Sequence, residues 1–198
     1  MKRIAVLVSG GGTNLQALID AQGSVIRSGE IKLVISNVAD AYALQRAKNA
    51  GIPAETVMKK ACGSQEAFED RLIALLDAHE IDVIVLAGFM TILTAHFTGH
   101  YPNRILNVHP SLIPSFCGEG FYGLRVHQAA LDYGVKVTGA TVHFVNEVCD
   151  GGRIIAQKAV PVLEGDTPET LQRRVMEQAE WILLPQAVEI VCESLGGN

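Results

Sequence analysis

A polar pair at the end of an apolar strand is the first place where this sequence could do chemistry. The segment ILNVHPSLIPSF (105–116) starts like a buried strand and then carries Asn107 and His109. Two residues apart in an extended chain, both side chains leave the same face of the strand. An amide N–H and an imidazole N–H can both stabilise an oxyanion that develops on an attacked carbonyl. The pair therefore predicts a site where a carbonyl carbon is attacked.

A histidine in such a role needs an acid that orients it, and Asp150 in VCDGGR is the best candidate. An Asp–His pair would hold the imidazole protonated and ready to donate. Gly151 and Gly152 would let the backbone approach a ligand closely. The alternative stays open at this point, since a strand-end His109 and an Asp before two glycines are also ordinary structural features.

The glycine loop SGGGTN (9–14) is the second candidate site. It lacks the lysine of a phosphate-binding P-loop, and no acidic residue ends the second strand to hold a ribose, so a dinucleotide site is disfavoured. What remains is a set of backbone N–H groups at a helix N-terminus, which suits one phosphate monoester. The predicted contacts come from Gly11, Gly12, Thr13 and Asn14. The alternative is a tight turn in which Thr13 or Asn14 only caps the helix.

The elements that would position these residues alternate between strands and helices. Strand-like runs lie at 3–9, 31–36, 54–58, 81–88 and 104–109, with helical patterns at 41–50 and 66–79 between them. This alternation predicts an α/β fold with a doubly wound, mostly parallel sheet. Residues 136–145 and 153–162 predict an antiparallel strand pair in the C-terminal half, followed by a helix that Thr167 caps. Open sheets bind ligands at the carboxyl ends of their strands, where SGGGTN, AGFMTIL and NVHPSL all fall.

Composition limits the function classes. The chain has 198 residues, 48% of them hydrophobic, which suits one compact domain, and no apolar run reaches the roughly 20 residues of a membrane span. A net charge of −5 with scattered basic residues argues against a nucleic-acid surface. The four cysteines form no C-x-x-C pair, and His96 and His100 have no evident third ligand, so no metal is expected. We expect a cytoplasmic protein that binds small molecules.

The segments SGGGTNLQALID, LAGFMTIL, NVHPSLIPSF and VTGATVHFV, followed by DGG, resemble the folate-dependent formyltransferases, and specifically their phosphoribosylglycinamide branch. The motifs occur in order from residue 3 to about 190. The resemblance implies a Rossmann-like formyltransferase fold and a monomer or homodimer without a metal. It also implies the activity of that branch, which is transfer of the formyl group of 10-formyltetrahydrofolate, a co-substrate, to the amine of 5'-phosphoribosylglycinamide in purine biosynthesis.

The resemblance also implies roles for individual residues. Catalysis would rest on Asn107, His109 and Asp150. The ribonucleotide would contact Gly11, Gly12, Thr13, Asn14 and Glu180, and the folate would contact Gln65, Met90, Thr91, Ile92, Leu93, Asn107 and Val145. Residues 1–100 would mainly bind the phosphate and the ribonucleotide, and residues 101–198 would form the catalytic and folate-binding half. Thr91 and Gln65 depart from the family pattern, because many members carry a basic residue there to contact the folate tail.

Two other functions stay open. A formyltetrahydrofolate hydrolase would use the same Asn107, His109 and Asp150, but its water nucleophile would need no phosphate site. A non-catalytic nucleotide-binding module would tolerate the loss of Asn107 and His109. The loop at 115–128 and Cys149 have no role in any of these hypotheses.

Overall fold

A continuous seven-stranded sheet forms the centre of the computed structural model, which describes residues 1–196. Its strands are Lys2–Val8 (β1), Gly29–Ser36 (β2), Ala54–Thr56 (β3), Val83–Leu86 (β4), Ile105–His109 (β5), Val137–Phe144 (β6) and Ile154–Pro161 (β7). Their spatial order is β3-β2-β1-β4-β5-β6-β7. Neighbours from β3 to β5 pair in parallel, whereas β5–β6 and β6–β7 pair antiparallel. The predicted fold class and the antiparallel pair are confirmed.

Helices cover both faces of the sheet. They are Thr13–Ala21 (α1), Tyr42–Asn49 (α2), Lys59–Cys62 (α3), Gln65–Ala78 (α4), Ala95–His100 (α5), Leu124–Tyr133 (α6), Pro168–Val175 (α7) and Trp181–Ser194 (α8). Thr167 caps α7 as predicted, with its side chain accepting from the Thr170 backbone N–H and with Pro168 at the first helical position. The C-terminal helix is not continuous, however, because a π-helical turn at Met176–Glu180 separates α7 from α8.

The hydrophobic core consists of two clusters, one on each face of the sheet. In β1, Ile4, Val6 and Val8 pack on the face covered by α1 and α8, whereas Ala5 and Leu7 pack on the face covered by α4 and α5. Alternate residues of a strand point to opposite faces, so a strand that is covered on both sides must be apolar throughout. This explains the uninterrupted apolar runs of β1 and β4.

The carboxyl ends of β1, β4 and β5 lie side by side, because these strands are neighbours in the sheet. Strands lie about 4.8 Å apart, so the ends of β1 and β5 are separated by roughly 10 Å. The three predicted segments therefore meet at one edge of the sheet. Within residues 1–196, no helix has the length and apolar character needed to cross a membrane.

Candidate active site

Asn107 and His109 lie on β5 and point to the same side of the sheet. Across the antiparallel pairing, Asn107 faces His143 and His109 faces Thr141. His109 is only 5% exposed, and its Nε2 lies 2.8 Å from the carbonyl oxygen of Phe116. Because a carbonyl can only accept, this contact assigns the hydrogen to Nε2. The other nitrogen, Nδ1, faces Oδ2 of Asp150 at 3.5 Å.

Asp150 is brought to His109 by the turn between β6 and β7. Its backbone has φ 53°, a left-handed conformation that Asp tolerates better than most residues. Oδ2 accepts from the Gly118 backbone N–H at 2.9 Å, and Oδ1 lies 3.5 Å from Nδ2 of Asn107. Burial raises the pKa of Asp150, but contacts with His143, His109 and the Gly118 N–H outweigh it and hold that pKa below its usual value. The carboxylate is therefore ionised throughout the neutral range.

His143 on β6 also belongs to this cluster. Its Nδ1 donates to the Phe144 carbonyl at 2.8 Å. Its Nε2 lies 3.2 Å from Nδ2 of Asn107 and 3.5 Å from Oδ1 of Asp150. An unprotonated Nε2 accepts from the amide, and a protonated one donates to the carboxylate, so His143 links the two in either state. The pairing of Asn107 with His143 across β5 and β6 was the signal that could have revealed it.

Gly151 and Gly152 are required by the packing of their own turn. A Cβ on Gly152 would overlap the carbonyl oxygen of Phe144, and a Cβ on Gly151 would lie 2.7 Å from Cβ of Val148. Gly152 therefore lets the turn pack against the backbone at the end of β6, and Gly151 lets it pack against Val148. Their expected close approach to a ligand stays a prediction.

A cavity of about 710 Å³ opens beside the cluster. Asn107, His109, His143 and Asp150 lie in its wall. The predicted folate residues that also line it are Met90, Thr91, Ile92, Leu93 and Val145, and the loop from Gly118 to Gly123 forms a further part of the wall. Met90 and Ile92 are 54% and 59% exposed, so they present an apolar surface that an incoming ring system can cover.

Gln65 is not brought into this cavity. Its amide Nε2 donates to Oε1 of Glu69 at 2.6 Å and to the Ile92 carbonyl at 3.1 Å. Glu69 is itself fully buried and accepts from the backbone N–H of Thr94 at 2.7 Å. Gln65 thus supports the Met90–Leu93 loop from α4 and is not among the residues that line the cavity. Thr91 does line the cavity, and its hydroxyl accepts from Nδ2 of Asn37 at 2.7 Å.

The glycine loop after β1 turns its carbonyl oxygens toward α2. The Gly10 carbonyl accepts from the Ala43 backbone N–H at 3.0 Å, and the Gly11 carbonyl accepts from Nε of Arg46 at 2.8 Å. Among residues 1–196, the backbone N–H groups of 10–14 have no acceptor. Gly12 is the N-cap of α1 with φ 71°, and no side chain caps the helix, so Thr13 and Asn14 are not caps. A row of free N–H groups at a helix N-terminus can bind an anion.

Asn14 connects this loop to Glu180, the other predicted ribonucleotide residue. Its Nδ2 donates to Oε2 of Glu180 at 2.8 Å. Glu180 ends the π-helical turn and is 6% exposed. Burial raises the pKa of Glu180, and the hydrogen bond from Asn14 opposes that rise. The glycine loop is also joined to the Met90–Leu93 loop, because Ser9 Oγ accepts from the Met90 backbone N–H at 2.8 Å.

Gly12 is required by packing as well as by its conformation. We expect Gly12→Ala to lower the free energy of unfolding by about 1–3 kcal/mol, since alanine is disfavoured at φ 71° and its Cβ would lie 2.7 Å from Cβ of Ala43. The matched control is Gly10→Ala, where a Cβ has no neighbour within 4 Å. Urea unfolding of both variants measures the difference. Equal stability would contradict the packing argument.

His127 on α6 is a further buried histidine, and it lies close to the cluster. It is 1% exposed, and neither ring nitrogen has a hydrogen-bond partner among the described residues. Burial and the nearby His109 lower the pKa of His127 to about 4. It is therefore neutral at physiological pH.

The buried, neutral His127 predicts a pH-dependent loss of stability. In the unfolded chain, His127 binds a proton below its ordinary pKa of 6.5. In the folded protein, it binds that proton only near pH 4. The contribution of neutral His127 to the free energy of unfolding is therefore fully present above pH 6.5, and it is lost as the pH falls toward 4. Between pH 7 and pH 5, we expect the free energy of unfolding of the wild-type protein to fall by about 1–2 kcal/mol more than that of the His127→Leu variant. Urea unfolding at both pH values measures this, and parallel losses would refute it.

Comparisons with known proteins agree with this geometry. The family model for formyl transferases matches residues 2–188. The chain is 45% identical over 175 residues to phosphoribosylglycinamide formyltransferase of Escherichia coli K12, covering 88% of this chain and 80% of that protein. It is 45% identical over 199 residues to the human trifunctional purine biosynthetic protein adenosine-3, covering 99% of this chain but only 19% of that protein. The chain thus spans about a fifth of the trifunctional relatives' length.

Solved structures give the same result. The crystal structure of glycinamide ribonucleotide transformylase 1 from Symbiobacterium toebii superposes with a TM-score of 0.91 at 46% identity, covering 98% of this chain and 89% of that chain. Phosphoribosylglycinamide formyltransferase from Brucella melitensis superposes with a TM-score of 0.88 at 45% identity, covering 96% and 95% of the two chains. The family match, these identities and the shared fold lead to one conclusion: the chain belongs to the formyl transferase family.

Proposed function

We propose that this protein transfers the formyl group of 10-formyltetrahydrofolate to the amine of 5'-phosphoribosylglycinamide, a step of purine biosynthesis. Family membership supports the reaction class, and the relatives' names supply the substrates. One observation carries the proposal beyond the family. Asn107, His109 and Asp150 meet in the wall of a cavity large enough for a pterin, about two strand spacings from a loop of free N–H groups.

The ribonucleotide would bind on the β1 side of the edge. Its phosphate would accept from the loop N–H groups and from the Thr13 hydroxyl, at the positive end of the α1 dipole. The ribose would contact Glu180, which Asn14 holds at the loop. The proposed contacts are Gly11, Gly12, Thr13, Asn14 and Glu180. From this position the glycinamide amine would extend toward the cavity.

The folate would occupy the cavity. Its pterin would pack against Met90, Thr91, Ile92, Leu93 and Val145, and Asn107 would contact the formyl group. Gln65 would act through the loop that it supports at Ile92 and not by direct contact. The cavity wall combines apolar side chains with the polar Asn107, His109, His143 and Asp150, which is typical of sites that bind a ring system and orient one reactive group.

In the proposed reaction, the amine lone pair attacks the formyl carbon and the carbonyl electron pair moves onto oxygen. The oxyanion accepts from Asn107 Nδ2, whose contact with Asp150 is 3.5 Å and easily replaced. It also accepts from His109 Nε2, displacing the Phe116 carbonyl. The proton released by the amine passes through the Asp150–His109 pair to N10 of the folate. The electron pair on the oxyanion then re-forms the carbonyl, the bond between N10 and the formyl carbon breaks, and tetrahydrofolate leaves.

We also propose that residues 1–198 form a single domain, with 1–100 mainly binding the ribonucleotide and 101–198 carrying catalysis. The Met90–Leu93 loop and Glu180 cross that division, so each half would contribute to both sites. A cytoplasmic location, a monomeric or homodimeric state and the lack of a nucleic-acid partner stay predictions.

An assay with both substrates tests the proposal. Formylglycinamide ribonucleotide and tetrahydrofolate should form only when the ribonucleotide and 10-formyltetrahydrofolate are both present. Tetrahydrofolate and formate without the ribonucleotide would instead indicate a hydrolase. The free N–H groups of the glycine loop favour the transferase, because a water nucleophile needs no phosphate site. No turnover under either condition would refute both activities.

A further inference from the structure

Within residues 1–196, Arg46 is the positively charged side chain that is hydrogen-bonded to the glycine loop. It lies on α2, and its Nε donates to the Gly11 carbonyl at 2.8 Å. Its Nη1 donates to Oε1 of Gln16 at 3.1 Å, on the first helix after the loop. The guanidinium thus touches the loop and the helix that together present the free N–H groups.

The guanidinium also packs against an aromatic ring. Its carbon atom lies 5.0 Å from the ring centroid of Tyr42, one helical turn earlier on α2. Nε and Nη1 each use one N–H group in the contacts above, and the remaining N–H groups have no acceptor within the described residues. A positioned arginine with unused donors is suited to bind an oxyanion of fixed geometry.

The phosphate at this loop needs such a charge. A phosphate monoester carries close to two negative charges at neutral pH, and the glycine loop supplies only uncharged donors. The protein as a whole has a net charge of −5, and Glu180 lies next to the loop through Asn14. Without a local cation, the long-range electrostatic field would oppose binding of the dianion.

We propose that Arg46 supplies the positive charge that binds the phosphate of the ribonucleotide and selects it over the uncharged riboside. The inference rests on the proposed function, since it assigns a further binding residue to the same site. Arg46 binds the phosphate with its unused N–H groups, while Nε and Nη1 hold the guanidinium against Gly11 and Gln16. Sequence patterns did not indicate Arg46, because it is 35 residues from its loop contact.

The kinetic test compares Arg46→Gln with Arg46→Lys. Arg46→Gln should raise KM for the ribonucleotide about tenfold, with kcat and KM for the folate unchanged. Arg46→Lys keeps the charge and loses the Nε contact to Gly11, so it should recover most of the loss. The matched control is Lys48→Gln, which removes the same charge from the same helix and should leave KM unchanged. The proposal fails if Arg46→Lys raises KM for the ribonucleotide as much as Arg46→Gln does. It also fails if Lys48→Gln raises this KM as much as Arg46→Gln does.

A charge-based role also predicts readouts that a purely structural role would not move. KM for the ribonucleotide should rise with ionic strength in the wild-type protein and rise less in Arg46→Gln. Turnover of glycinamide riboside, which lacks the phosphate, should be equal in the two proteins. An equal salt dependence, or an equal relative loss with the riboside, would show that Arg46 only shapes the loop.

Binding without turnover separates this proposal from the proposed function. Calorimetry with ribose 5-phosphate and with inorganic phosphate should show about tenfold weaker binding to Arg46→Gln than to the wild-type protein. If the wild-type protein lacks formyl transfer but shows this difference, the proposed function fails and Arg46 still binds phosphate. If transfer is normal and the two proteins bind ribose 5-phosphate equally, the proposal for Arg46 is overturned.

Discussion

His109→Ala is expected to lower kcat about a thousandfold or more while KM for the ribonucleotide changes only a few-fold. The imidazole is a proton donor and an oxyanion stabiliser in the proposed reaction, and each role typically contributes a factor of about 10² to 10⁴. His109 lies on β5, about two strand spacings from the glycine loop, so its loss should not disturb phosphate binding. An effect on kcat with little effect on KM is typical of a group that acts mainly in the transition state.

Single-turnover kinetics and calorimetry with the ribonucleotide measure the two quantities separately. His96→Ala is the matched control, because His96 is a solvent-exposed histidine whose Nε2 contacts Asp70 on the outside of α4. Asn107→Ala should lower kcat by about 10²-fold or more, as expected for one oxyanion donor. The double variant should lose less than the product of the two effects, since both groups act on one oxygen. A kcat within tenfold of wild type in His109→Ala would rule out the assigned role.

Asp150→Asn is expected to lower kcat about a hundredfold or more, because it removes the carboxylate that takes part in the proposed proton transfer. The pKa of Asp150 is held below its usual value of 3.8, so the carboxylate is ionised at every pH where the protein is assayed. Its Oδ2 lies 3.5 Å from His109 Nδ1, and a neutral amide at this position cannot accept and return a proton. The variant should therefore be slow at every pH at which the wild-type protein is active.

The variant preserves the local backbone, because asparagine tolerates the left-handed conformation of residue 150 as well as aspartate does. Asp132→Asn is the control for the loss of one negative charge, since Asp132 lies on α6 and contacts only Gln128. The measurement is kcat across the pH range for all three proteins. A kcat within tenfold of wild type across that range in Asp150→Asn would show that the carboxylate takes no part in the proton transfer.

Much of the fold could be predicted because its signals are local. The alternation of apolar runs with helical patterns depends on neighbouring residues, and it correctly predicted the parallel sheet and the pair β6–β7. The same reasoning indicated that Asn107 and His109 share a face, since that follows from the two-residue period of a strand. The π-helical turn before α8 was missed, because one extra residue per turn leaves no clear mark in a hydrophobic pattern.

The candidate site was predicted less completely, because its contacts join distant segments. His143 reaches Asn107 only through the register of two antiparallel strands, at a separation of 36 residues. The sequence did not indicate that Gln65 is hydrogen-bonded to the loop at Ile92. It also did not indicate that Gly151 and Gly152 pack against Val148 and Phe144. Patterns of residue type indicate which groups are available but not which neighbours occupy their hydrogen bonds.

By itself, the sequence determined the order of the strands, the shared orientation of Asn107 and His109, and a glycine loop between the first strand and the first helix. These features follow from the covalent geometry of strands and from the conformational freedom of glycine. The tertiary structure alone decided that Asp150 faces His109, that His143 joins them, and that Arg46 lies on the glycine loop. Each of these contacts depends on how whole elements pack, and packing is set by the combined burial of many side chains.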